Sequence, residues 1–365
     1  MSGNWERVIM DNQKIIETID ELKRIAASKG INLDDEIRGL ENKLKEQPAS
    51  PIDTTTEPSS ISPWEYVQLS RKVERPKPQD FINYLIDDFI ELKGDRYLAD
   101  DQAIIGGIGF FNGIPVIAIG TRKGKDLKQN LAYNFGMPHP EGYRKALRLA
   151  KQAEKFHRPV LFFVDTPGAF CGIDAEEHGI SEAIARNLYE LSVLKTPIIT
   201  TITGEGGSGG ALALSVADRI FMMEFAIFSV ISPEGCASIL FKDASKASVA
   251  AESLKITAPD LLNLTIIDRV INEHVSMDQQ THQGFASLKA ALEEELTMLQ
   301  SMEIGKILER RYYKYRSIGF FDIEQKLPTP KDSTIVKQTK SIWSKLADRF
   351  KRKPKDKKQI NPFDD

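Results

Sequence analysis

Histidine and cysteine are scarce in this chain of 365 residues, five of the first and two of the second. Cys171 and Cys236 are too few for a disulfide framework, and with no Cys-x-x-Cys spacing they cannot supply half of a zinc site. A reducing compartment is the simpler expectation. No apolar run approaches the roughly 18 to 20 residues that span a bilayer, since the longest, 220–231, contains Glu224. The first residues, MSGNWERVIMDNQK, have neither the apolar stretch of a secretory signal nor the Arg- and Ser-rich character of a transit peptide. The expected location is therefore the bacterial cytoplasm, or the plastid stroma for a plastid-encoded product. Charge of one sign is lacking too: the net charge is -3 with 28% charged residues, which excludes a nucleic-acid-coating chain and names no partner.

Several catalytic signatures are also missing. Asp165-Thr166-Pro167-Gly168 resembles the magnesium-side motif of a GTPase, which would also require Gly-x-x-x-x-Gly-Lys-Ser/Thr. The nearest stretch, GTRKGKD at 120–126, has the wrong spacing and an aspartate where the magnesium-binding hydroxyl belongs. A nucleotide switch is excluded on that ground. There is no dinucleotide fingerprint and no metal-ligand spacing, so no metal site is expected on this chain. His139, His157 and His178 stand alone, as structural or solvated histidines usually do.

What is present reads as an α/β protein. Ile15, Ile19, Leu22 and Ile25, then Leu33, Ile37, Leu40 and Leu44, recur at helical spacing and predict a helical pair over 1–46. The Pro-, Ser- and Thr-rich stretch 47–63 reads as a linker, and 64–325 as the main domain. IIGGIGFF, Asn112-Gly113 and IPVIAIG predict a hairpin. YRKALRLAKQAEKF follows as a helix opened by Pro138 and Pro140, and PVLFFVD as a strand covered on both faces. AEEHGISEAIARNLYELSVL predicts one helix with Ile180, Ile184, Leu188 and Leu191 on a stripe. TPIITTIT predicts a strand ending at Gly204, and ALALSVAD a helix. RIFMME and FAIFSV, a helix opened by SPEG, and a last strand in TIIDRVI complete the domain. From 326 the chain changes character: 326–365 is a basic tail. Its Ile342, Trp343, Leu346 and Phe350 would share one helical face suited to an anionic membrane surface, against the plainer reading of a solvated tail.

The sharpest motif is Gly204-Glu205-Gly206-Gly207-Ser208-Gly209-Gly210 between the TPIITTIT strand and the next helix. Five glycines in seven residues suit a turn whose backbone must approach something closely, and amides there can face an anion or a developing oxyanion. The same stretch fits Gly-x-Ser-x-Gly, the nucleophile elbow of a serine hydrolase using Ser208, with His274 or His282 downstream as partners by order alone. Arg122, Lys123 and Lys125 are either a solvated loop or a clamp for phosphates.

Asn134-Phe135-Gly136-Met137-Pro138, PEGYRKALRL at 140–149, SEAIARN at 181–187, GEGGSGGALA at 204–213 and ISPEGCASIL at 231–240 resemble the alpha-subunit family of the acetyl-CoA carboxylase carboxyltransferase, within the crotonase superfamily. The resemblance implies a core of repeated ββα units with an N-terminal helical pair, and carboxyl transfer from carboxybiotin to acetyl-CoA to give malonyl-CoA. It implies Gly206 and Gly207 as the catalytic amide donors, with Gly168, Ala169, Arg122 and Lys125 as substrate-binding candidates. It implies a beta-subunit partner carrying the zinc in an alpha2beta2 assembly, a separate biotin carboxyl carrier protein, and a biotin carboxylase that uses the ATP, with no cofactor held covalently here. Two departures stand out. The family's Gly-Ala-Tyr-Pro-Gly loop is Gly168-Ala169-Phe170-Cys171-Gly172 here, so that loop can act only through its backbone, and His178 occupies a position often basic.

Overall fold

The structure, a computed structural model, describes residues 61–273 and 281–319. The helical pair at 1–46, nearly all of the linker at 47–63, His274 and the tail at 326–365 lie outside the described residues. Helix α1 (Pro63–Arg71) is started by a reciprocal cap, in which Ser62 Oγ accepts the Glu65 amide while Glu65 accepts the Ser62 amide. Helix α2 (Pro78–Leu85) likewise places a proline in its first turn, where no amide is needed.

Strands β1 (Asp87–Glu91), β2 (Ile104–Phe111) and β3 (Ile114–Thr121) form an antiparallel ladder. The β2–β3 turn is the anticipated one: Asn112 and Gly113 both take positive φ, 46° and 78°, as a two-residue hairpin requires. After helix α3 (Leu127–Ala132) and a single 3-10 turn comes α4 (Pro140–Lys155), then β4 (Val160–Thr166). Every residue of β4 is buried. Gly106 of β2 faces Leu149 of α4, whereas Gly120 of β3, whose side faces the other way, meets Pro78 and Ile82 of α2. The sheet is therefore covered on both faces, and its central strands β4 and β5 are buried almost throughout instead of alternating.

The single helix expected over 175–194 is two, α5 (Ile173–Glu177) and α6 (Ile180–Ser192), because Gly179 takes φ +80° and breaks the path. Ile180 and Leu191 of the anticipated stripe are buried, and Ile184 and Leu188 pack at its margin. Strand β5 (Ile198–Gly207) runs three residues past its expected end, and α7 (Ser208–Leu212) is only five residues long, so the helix expected over ALALSVAD is mostly turn. The polar stop comes early because Asp218 is needed at the start of β6, where its backbone amide bonds Ile198 O and its carboxylate takes the Ile198 amide.

Strands β6 (Arg219–Met223) and β7 (Ile227–Ser229), helices α8 (Pro233–Leu240), α9 (Ala247–Leu254) and α10 (Ala258–Asn263), and strand β8 (Arg269–Ile271) follow, with α11 (Thr281–Gln300) and α12 (Ile304–Arg316) last. The sheet order is β1-β2-β3-β4-β5-β6-β8, parallel from β3 onward. Strand β7 lies off this path: β5 pairs with β6 over Ile199–Ile202 and with β7 over 205–207. No helix among the described residues is long and apolar enough to cross a membrane.

Candidate functional site

The carboxyl ends of β3, β4 and β5 meet at one place, where open α/β sheets hold their ligands. Between Val164 and Thr166 strand β4 advances two residues while β5 advances four, from Ile202 to Gly206. The two extra residues bulge around Asp165. Its Oδ1 accepts the Glu205 amide at 3.0 Å, and a side chain at Gly204 would meet the same carboxylate at 2.7–2.9 Å, so the bulge closes only with glycine there.

Beyond the bulge the two glycine loops touch. A Cβ on Gly207 would sit 2.1 Å from Pro167 O, and one on Gly210 would sit 2.4 Å from the Ala169 nitrogen. Thr166 Oγ1 accepts the Gly168 amide and donates to Gly168 O, which fixes the β4 loop locally. Gly206 and Gly207 border a small open cleft whose other walls include Pro167, Ile231, Ser232 and Arg71. Ser232 caps α8 by accepting the Gly235 amide, so the SPEG motif supplies a rigid wall facing the GEGG motif.

Under the cleft runs a chain of charges. Lys123 Nζ lies 3.2 Å from Asp165 Oδ1 and 2.6 Å from Glu205 Oε2. Glu205 Oε1 accepts from Arg71 Nε at 2.6 Å, and Arg71 also grips Glu234 at 2.6 Å. Lys77 stands 3.9 Å from Asp165 Oδ2, an oxygen that accepts no hydrogen bond among the described residues. Burial alone would push the Asp165 carboxyl up, but the ammonium groups of Lys123 and Lys77 hold it below its ordinary 3.8. Burial likewise pulls Lys123 down, and Asp165 and Glu205 together lift it above its ordinary value. Lys77, with less compensation, is lowered by burial.

The residues singled out by sequence divide accordingly. Gly206 and Gly207 line the cleft, and Gly168 and Ala169 form the neighbouring loop that presses on Gly210. Arg122 is held away on Glu91, at 3.0 Å, and on Gln79, with its guanidinium over the Tyr133 ring. Lys125 pairs with Asp80 at 2.8 Å. Ser208 has the positive φ, 51°, and the exposure that an elbow would show, yet its hydroxyl bonds no histidine or any other described residue. His282 lies beside Tyr84 of α2 instead. His178, the departure noted above, pairs with Glu141 at 3.0 Å, and Phe170 stacks on His139 with ring centroids 4.1 Å apart.

The family described as acetyl co-enzyme A carboxylase carboxyltransferase-like matches residues 5–319. This chain belongs to that family. It is 51% identical over 308 residues to the acetyl-coenzyme A carboxylase carboxyl transferase subunit alpha of Halalkalibacterium halodurans, covering 83% of this chain and 92% of the relative. It is 50% identical over 307 residues to the subunit of the same name from Heliobacterium modesticaldum, covering 84% and 90%. Among solved structures, transcarboxylase 12S with methylmalonyl-coenzyme A bound aligns at a TM-score of 0.51 and 20% identity over 66% of this chain and 44% of that one. That likeness establishes the fold, the crotonase fold expected from the motifs. Lys123, Asp165, Glu205, Arg71 and Glu234 are the charged residues beneath the cleft that the sequence patterns do not join as a set. The available signal was that Lys123, Glu205 and Glu234 each immediately precede a glycine; the pairing itself joins residues up to 163 apart and has no local trace.

Proposed function

We propose that this chain is the alpha half of an acetyl-CoA carboxylase carboxyltransferase, which moves the carboxyl group of carboxybiotin to acetyl-CoA and so makes malonyl-CoA, the first committed step of fatty acid synthesis. The observation that supports the reading is the Gly206–Gly207 backbone, which lines one wall of the cleft, with Gly207 too tightly packed against Pro167, and Gly206 against Phe228, to hold a side chain. Carboxybiotin, borne on a separate carrier protein, is a substrate here: it gives up its carboxyl group, and its freed ureido nitrogen then takes the acetyl proton. The chain's own contribution is to hold the ureido oxygen. Amides of Gly206 and Gly207 aimed at that oxygen stabilise the negative charge that builds on it as the nitrogen–carboxyl bond breaks. The loop at Gly168 and Ala169 keeps the donor turn in place from the β4 side. Arg122 and Lys125, already matched by acidic partners, are assigned to the surroundings of the site and not to substrate.

In this reading the acetyl-CoA half of the site comes from a zinc-bearing beta subunit in an alpha2beta2 assembly, and ATP is spent by a biotin carboxylase that charges the carrier, all in the cytoplasm. Residues 64–325 carry the transferase domain. The test is Gly207→Pro in the assembled complex, which removes one amide donor and disturbs the turn. Loss of about 10^2- to 10^3-fold in malonyl-CoA formation, with assembly intact, is expected. Near-normal transfer by this variant overturns the reading, as does malonyl-CoA formation by the isolated chain.

A further inference from the structure

Glu205 is the residue directly before the donor pair, and every polar group it owns on the chain side is engaged. Its amide bonds Asp165 Oδ1, one carboxylate oxygen takes Lys123, and the other takes Arg71. We propose, resting on the donor role of Gly206 and Gly207, that Lys123 and Asp165 are positioning residues for carboxyl transfer: the pair fixes the β5 bulge at Glu205 and so sets the direction of the two glycine amides.

The geometry has three parts. Asp165 is fully buried at the bulge, and Gly204 wraps so closely around its carboxylate that the bulge and the carboxylate define each other. Its own backbone is pinned as well, since Thr121 Oγ1 accepts the Asp165 amide and donates to the Asp165 carbonyl. Lys123 then ties the ends of β3, β4 and β5 through a single ammonium group. Finally, Arg71 joins Glu205 to Glu234, so the donor strand and the Ser232 wall of the cleft are set relative to each other.

The charges balance, with Lys77, Lys123 and Arg71 against Asp165, Glu205 and Glu234. A balanced cluster does not draw in an anionic substrate. A buried ion pair also contributes little net stability over an apolar replacement. What remains for it to supply is register, and reacting groups displaced by about 1 Å lose on the order of 10^2 in rate.

The experiment measures carboxyl transfer by the assembled complex carrying Asp165→Asn, Lys123→Met, Lys123→Arg or the double variant Asp165→Asn/Lys123→Met. Asp165→Asn and Lys123→Met are expected to lower kcat about 10- to 100-fold while KM for acetyl-CoA stays within about twofold, with assembly retained at the assay temperature and the loss of kcat out of proportion to any fall in melting temperature. Lys123→Arg is expected to recover most of kcat, and the double variant to lose no more than the worse single one, because the two act as a unit. Unchanged kcat in both single variants overturns the proposal. So does a loss that tracks melting temperature, or losses that multiply in the double variant. Gly207→Pro run alongside separates the two ideas: loss in Gly207→Pro with full activity in the Lys123 and Asp165 variants removes the positioning role and leaves the donor role standing.

Discussion

Two buried ion pairs sit at opposite ends of the same sheet, and they are built to different standards. At the amino ends of β5 and β6, Arg311 of α12 meets Asp218 through Nε and one terminal nitrogen, and its other N–H groups go to the carbonyls of Leu191, Leu194 and Thr196. All five guanidinium hydrogens have an acceptor. At the carboxyl ends, Asp165 keeps an oxygen with no hydrogen-bond partner among the described residues, and Lys123 divides itself between two carboxylates. The saturated pair locks α12 to the sheet and has nothing left to offer. The unsaturated one lies beneath a cleft, holding a bulge that no packing argument requires. A polar cluster left short of full satisfaction is a mark of function, because it gives up stability that a closed network would keep.

The comparison breaks most visibly at Arg311. Arg311→Ala leaves Asp218 buried without its partner and opens three carbonyls, so destabilisation of about 3 to 5 kcal/mol is expected, read as a lowered denaturation midpoint. Carboxyl transfer per folded complex should be unaltered. A rate loss in the fraction that remains folded would blur the line between the two ends.

Acid sharpens it next. The Asp165 carboxyl is held below its ordinary 3.8, so the fold favours its ionised form. Its stabilisation is whole above that value and is lost as the pH falls through the lower folded value. Wild type and Asp165→Asn, compared by denaturant unfolding from pH 7 down to pH 3, should therefore differ less as the pH drops below about 4. A gap that stays constant, or that widens in acid, contradicts the assigned direction.

The smallest effect belongs to Ser208. With an exposed hydroxyl that bonds no described residue, Ser208→Ala should change stability by less than about 0.5 kcal/mol and leave malonyl-CoA formation near normal. A loss of at least ~10^3, as for a catalytic serine, would bring the hydrolase reading back.

How much of this was legible beforehand follows the range of the interactions. The hairpin at Asn112-Gly113, the proline-opened helix α4 and the apolar strand β4 are written in neighbouring residues, and the structure has them where the pattern puts them. The break at Gly179 leaves no mark in the pattern, because the apolar stripe begins only after it at Ile180 and periodicity does not register one residue at positive φ. The end of β5 was misplaced for a different reason. Glycine normally weakens a strand, but here Gly206 and Gly207 extend one, since Phe228 and Ser229 of β7 pair with them. At the site, the glycine loops announced themselves by composition. The ion-pair cluster of Arg71, Lys123, Asp165, Glu205 and Glu234 did not, because its members come from separate motifs and nothing local pairs them until the fold brings them together.

The change of partner along β5 has a consequence for how the molecule can vary. A strand bonded to one neighbour along its whole length transmits any inserted or deleted residue to the end, and every side chain beyond the change turns to the wrong face. Strand β5 is released by β6 after Ile202 and taken up by β7 at Glu205. The interval between acts as a joint: the sheet below and the glycine turn above each keep their own alignment. A residue inserted or removed there would shift the glycine turn without shearing the sheet below, whereas a side chain at Gly204 would meet the Asp165 carboxylate, so the joint has freedom in length and none in composition at that position.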